Sequence, residues 1–86
     1  MIGQSRYLIE NKDVYGGTQR IYKFPNGYGA SVIRHKGSYG FAKGLWELAV
    51  LDSSGALCYS TPISNDVIGY LSDEEVTIKL NEIKGL

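Results

Sequence analysis

The chain has 86 residues, 43% of them apolar, and its nine basic and nine acidic side chains cancel. That length makes one domain, 1–86, burying only about 60–65% of its unfolded surface, so the core is thin. The neutral balance argues neither for nor against a polyanionic partner, because a neutral protein can still present a local basic face.

The single cysteine, Cys58, excludes an internal disulfide, and one cysteine with one histidine argues against a structural zinc site. No cofactor or metal is expected. The N-terminus, MIGQSRYLIENK, lacks a basic stretch followed by an apolar run, so no signal peptide is expected. No apolar stretch approaches the roughly 20 residues of a membrane-spanning helix, so no membrane partner is expected. A free thiol suits the cytosol.

In chain order, Tyr7, Leu8 and Ile9 form a short apolar knot that reads as an edge strand or one helical turn. Asn11, Lys12 and Asp13 read as a polar turn, and Gly16-Gly17 as a break. Gln19 to Phe24 carries β-branched and aromatic residues at strand density. Pro25-Asn26-Gly27 is a turn with a mechanism: proline presets φ, asparagine tolerates the left-handed region and glycine accepts positive φ. Tyr28 to His35 returns as the second arm of a hairpin. Along it Tyr28, Ala30, Val32 and Arg34 share one face, and Gly29, Ser31, Ile33 and His35 share the other.

Residues 36–44, KGSYGFAKG, hold three glycines and read as an exposed loop. It is long for a hairpin connection, and long loops in small domains often carry function. Leu45 to Leu51 is apolar on both sides of its pleat apart from Glu47, the pattern of a central strand. Trp46, Leu48 and Val50 lie on one of its faces. Asp52-Ser53-Ser54-Gly55 is a turn, and Ala56 to Tyr59 reads as a short returning strand. Residues 60–71 read as irregular, ending in VIGYL, a helical turn or a brief strand. From Ser72 a helix begins: Ser72 with Glu75 three residues on is the capping-box pattern, and acidic residues fill the first turn. Loss of the Ser72 hydroxyl should cost about 1 kcal/mol. Val76, Leu80 and Ile83 form the stripe expected to pack on the sheet. The expected fold is α+β, an antiparallel β-meander of four to five strands with the C-terminal helix on one face.

No catalytic constellation is visible, and a non-enzymatic role is expected. His35 has no serine or cysteine at a recognised spacing, and Cys58 reads as a small core hydrophobe. The candidate surface is Arg34, His35, Lys36, Tyr39, Phe41 and Lys43, with Tyr28 beside it. Arg34 and Lys36 supply charge, glycine-rich backbone can cradle an anion, and Tyr39 and Phe41 would stack on a base. The run is not a Walker A motif. The plain alternative is a solvated loop with ordinary lysines. Seven tyrosines also point to an aromatic sheet face for a protein or single-stranded nucleic-acid partner. Glu47 is expected to pair with Arg20 or Arg34, and an exposed Ile78 with Leu86 hints at a homodimer.

FPNGYGASVIRH, GLWELAVL and DVIGYLSDEEV together resemble a group of small uncharacterised proteins of tailed-phage and prophage genomes. The resemblance implies an accessory phage gene product in the bacterial host cytoplasm and brings no site residues with it. It implies a binding module that inhibits or sequesters a host protein, an anti-defence role among the choices. The other expectation is a nucleotide or single-stranded nucleic-acid binder using residues 34–43.

Overall fold

The apolar pattern resolves into five strands and a helix: β1 (Leu8–Val14), β2 (Gly17–Lys23), β3 (Gly29–Arg34), β4 (Trp46–Leu51), β5 (Ile68–Leu71) and α1 (Asp73–Lys84). The computed structural model describes residues 2–38, 40–58, 61 and 67–86. The strands form one sheet in the order β1-β2-β3-β4-β5, every neighbour antiparallel. This is the expected α+β meander with a C-terminal helix.

Helix α1 starts where the capping box sets it. The Ser72 hydroxyl accepts from the Glu75 N–H at 3.2 Å, and Glu75 accepts from the Ser72 N–H at 3.0 Å. Val76, Leu80 and Ile83 are the buried stripe, and the helix packs on β3, β4 and β5. Beneath it lie Tyr22, Ala30, Val32, Trp46, Leu48, Val50 and Leu71, with Ile2 and Phe24 closing the margin. The N-terminal segment is tied to the helix: the Gly3 N–H donates to Thr77 Oγ1 at 2.8 Å, and the Gln4 side chain donates to Asn81.

The turn between β2 and β3 does more than reverse the chain. Gly27 sits at φ 92°, as a proline-asparagine-glycine turn needs. The Asn26 side-chain amide donates to the carbonyls of Ile83, Lys84 and Leu86 at 2.9, 3.1 and 3.2 Å. It thereby supplies a side-chain donor to the carbonyls at and just past the end of α1. Backbone geometry alone does not explain this residue.

One local expectation is corrected and two are made specific. Asn11, Lys12 and Asp13 lie within β1, and the reversal falls at Tyr15-Gly16, with φ of 44° and 73°. An edge strand tolerates such polar residues because one side of it meets water. The expected return of Ala56 to Tyr59 is seen in part: Leu57 bridges Leu51 and the Cys58 N–H donates to the Val50 carbonyl at 2.8 Å, while Tyr59 lies outside the described residues. The other end of the same β4 edge is taken by β5, which pairs Leu71 with Trp46 and Ile68 with Leu48. Of the two readings of VIGYL the brief strand holds, over Ile68–Leu71, and most of the irregular stretch before it lies outside the described residues.

Gly17 marks a close approach. A Cβ there would sit 1.8 Å from the Arg34 carbonyl oxygen, so β2 and β3 can meet at this end only through glycine.

Candidate functional site

The alternation of β3 separates residues that are consecutive in sequence. Arg34 lies on the helix side with Ala30 and Val32, and His35 points the other way. The candidate residues therefore fall into separate neighbourhoods instead of one site.

Arg34 leaves the loop for Trp46. Its guanidinium carbon stands 4.2 Å from the centre of the indole ring, and its Nη1 donates to the Gly44 carbonyl at 3.1 Å. Trp46 is core, as expected, yet its Nε1–H reaches Asp73 Oδ1 at 2.8 Å. That bond is the main reason the Asp73 carboxyl sits below the usual carboxylate range, and the nearby Arg34 charge adds to it.

His35 lies on the helix-free face. Its Nδ1 accepts from the Gly37 N–H at 3.0 Å, which fixes the imidazole at the head of the loop. Its ring meets Tyr15 edge-on, with centroids 5.6 Å apart. Both line an open concavity of about 360 Å³ whose floor includes Gln19, Ser31, Ile33 and Ala49 and whose rim includes Leu57 and Val67. Gln19 donates to Ser31 Oγ at 3.0 Å across the floor. Tyr15 is 80% exposed and Leu57 53%. Glu47 also lines this concavity, opposite Ile33 in register. Arg20 and Arg34 are on the other face, so the expected ion pair with Glu47 does not form.

Lys36, Phe41 and Lys43 do come together. With Tyr70 of β5 they line a second concavity, of about 350 Å³. The loop backbone there is largely committed. The N–H groups of Lys36, Ser38, Phe41, Lys43, Gly44 and Leu45 donate to carbonyls of this segment or of Tyr15. Those of His35 and Gly37 donate to Ser38 Oγ and to the imidazole. Such a backbone offers few donors for a phosphate cradle. Tyr39 lies outside the described residues. Tyr28 sits far from the loop, beside Asn26 and Cys58 at the opposite end of the sheet.

Of the tyrosines expected to form an aromatic sheet face, Tyr22 is 1% exposed in the core and Tyr28 packs against that core, while Tyr39 and Tyr59 lie outside the described residues. Alternation puts Tyr22 and Tyr28 under the helix, and among the described residues Tyr15 is the exposed tyrosine at the concavity of the free face. Sequence reasoning missed Tyr15, Leu57 and Val67 as surface features. The available signal was Tyr15 standing immediately before the Gly16-Gly17 break.

Ile78 is exposed on α1, as expected, and Leu86 lies exposed beyond it. Among the described residues, no helix is long and apolar enough to cross a membrane, and no cluster of three or more metal-binding side chains is found. No protein-family model, no curated protein and no solved structure gives a significant match to the chain.

Proposed function

We propose that this protein is a small non-enzymatic binding module that engages a protein partner through the helix-free face of its sheet. One observation carries the reading: an open, mainly aliphatic concavity on that face, rimmed by the exposed Tyr15 and Leu57. Apolar floors with an aromatic rim and a few polar groups are what partner surfaces use. His35 supports a positioning role, since its Nδ1 is occupied as an acceptor within its own loop. Following the resemblance to phage accessory proteins, the partner is a host protein in the bacterial cytoplasm, inhibited or sequestered by the contact.

The test is affinity capture from bacterial extract with immobilised protein, comparing wild type with Tyr15→Ala, Leu57→Asp and, as control, Ile78→Asp. All three positions are exposed, so the fold should persist. Wild type and the control should hold one dominant host protein that both sheet-face variants release. Retention by both would overturn the reading.

A second reading, a nucleotide or single-stranded nucleic-acid binder, rests on the cluster of Lys36, Lys43, Phe41 and Tyr70. Two lysines beside two aromatic rings suit a phosphate and a stacked base. Recognition would come from side chains, given the committed loop amides. Binding of a short oligonucleotide should weaken with salt and with Lys36→Ala or Lys43→Ala. No binding across nucleotides and single strands would sink this reading.

A further inference from the structure

On the helix side of the sheet, β2 and β3 bring Arg20 and Arg34 to the same indole. The guanidinium carbons stand 5.7 and 4.2 Å from the Trp46 ring centre. They line a concavity of about 350 Å³ with Ser5, Trp46 and Asp73, at the margin where the N-terminal segment meets the start of α1. Arg20 is anomalous there. Its Nε is fully covered, and no hydrogen-bond acceptor reaches it. Among the described residues, neither arginine has a carboxylate within ion-pair distance. Asp73 is turned to the indole N–H.

A covered guanidinium Nε with no acceptor is costly, and a second cation on the same ring adds repulsion. Contact with an indole face offsets only part of this. An anion supplying several acceptors would satisfy both forks at once, because guanidinium geometry matches oxyanions bidentately. The first turn of α1 carries Asp73, Glu74 and Glu75, so any attraction for an anion at this margin comes from the two arginines. We infer that Arg20 and Arg34, with Trp46 between them and the Asp73 carboxylate at the edge, form a binding site for a small oxyanion with enough acceptors to meet both guanidinium groups, as inorganic phosphate has. The site is on the opposite side of the sheet from the concavity proposed for the protein partner, so either can fail without the other.

Trp46 is the only tryptophan, which makes its emission and its indole N–H resonance local reporters. The probe is inorganic phosphate, titrated against sodium chloride at equal ionic strength and against acetate. Phosphate should give a saturable change in both Trp46 signals that chloride lacks, with acetate at least about tenfold weaker. Arg20→Gln and Arg34→Gln should each weaken phosphate by about tenfold or more, and Arg20→Lys by less, since it keeps charge and loses the fork. Equal responses to phosphate and chloride would overturn the site, and acetate binding as tightly as phosphate would overturn the engagement of both guanidinium groups. Should Arg20→Gln lose its cooperative melt, the decision passes to Arg20→Lys, where unchanged affinity overturns the inference.

Discussion

Arg34 and His35 are consecutive residues whose side chains meet different rings on opposite faces of the sheet, Trp46 for the first and Tyr15 for the second. Substitutions at the two positions should therefore have separable effects. Arg34→Ala should change Trp46 emission and leave capture of a protein partner intact. His35→Ala should do the reverse. If both variants moved both readouts together, the two faces would not be independent.

Asn26 ties the β2–β3 turn to the end of α1 through its side-chain amide. Asn26→Ala should lower stability by about 1 kcal/mol, read as a lower denaturant midpoint at constant slope. Asn26→Asp should be worse. It removes the donor and sets a negative charge at the negative end of the helix dipole. An aspartate variant as stable as wild type would show that the amide carries no such role.

Tyr22 buries its hydroxyl without a hydrogen-bond partner. Removing that group should relieve a desolvation cost. Tyr22→Phe is expected to match or exceed wild-type stability, by up to about 1 kcal/mol. Tyr22→Ala should cost about 3–5 kcal/mol through the cavity it leaves. A clear loss of melting temperature in Tyr22→Phe would contradict the buried, unpaired hydroxyl.

Among the described residues, three carboxyls are held below their ordinary range. Glu75 is lowered by the Ser72 backbone N–H and then its hydroxyl, Asp52 by the Ser54 hydroxyl and then the backbone of Ser54 and Ala56, and Asp73 chiefly by the Trp46 indole. A carboxyl depressed in the folded state contributes stability that is fully present above its unfolded value and lost as pH falls through the folded one. These groups should leave the melting temperature flat near neutrality and lower it as pH drops below their ordinary values of 4.5 and 3.8. Thermal melts over an acid series check this. Glu75→Gln and Asp73→Asn should each flatten the acid decline, and profiles parallel to wild type would count against these bonds as its source.

The elements legible in advance were those whose residues carry their own local reason. β4 is apolar on both faces, the Pro25-Asn26-Gly27 turn has its dihedral chemistry, and α1 has its capping box. Those missed depend on partners distant in the chain. β1 takes its strand form from pairing with β2, despite Asn11, Lys12 and Asp13. β5 takes the Trp46–Leu48 part of the β4 edge, a pairing across the sheet that no short window displays. Most of the candidate residues fall in one run, 34–43, and a run is what strand alternation divides. Lys36, Phe41 and Lys43 stayed together because the loop folds back on Tyr70, whereas Arg34 left for a neighbour twelve residues on, Trp46.

Every strand pairs with its immediate predecessor, while the helix that covers them follows all five in the chain. Such an order keeps loop-closure costs small and favours rapid assembly of the sheet. It also means that, during synthesis, Val32, Leu48 and Val50 wait for Val76, Leu80 and Ile83 to leave the ribosome. A nascent chain stalled before Ser72 would display a ready-made sticky surface, so the last helix to emerge acts as the fold's own guard against aggregation.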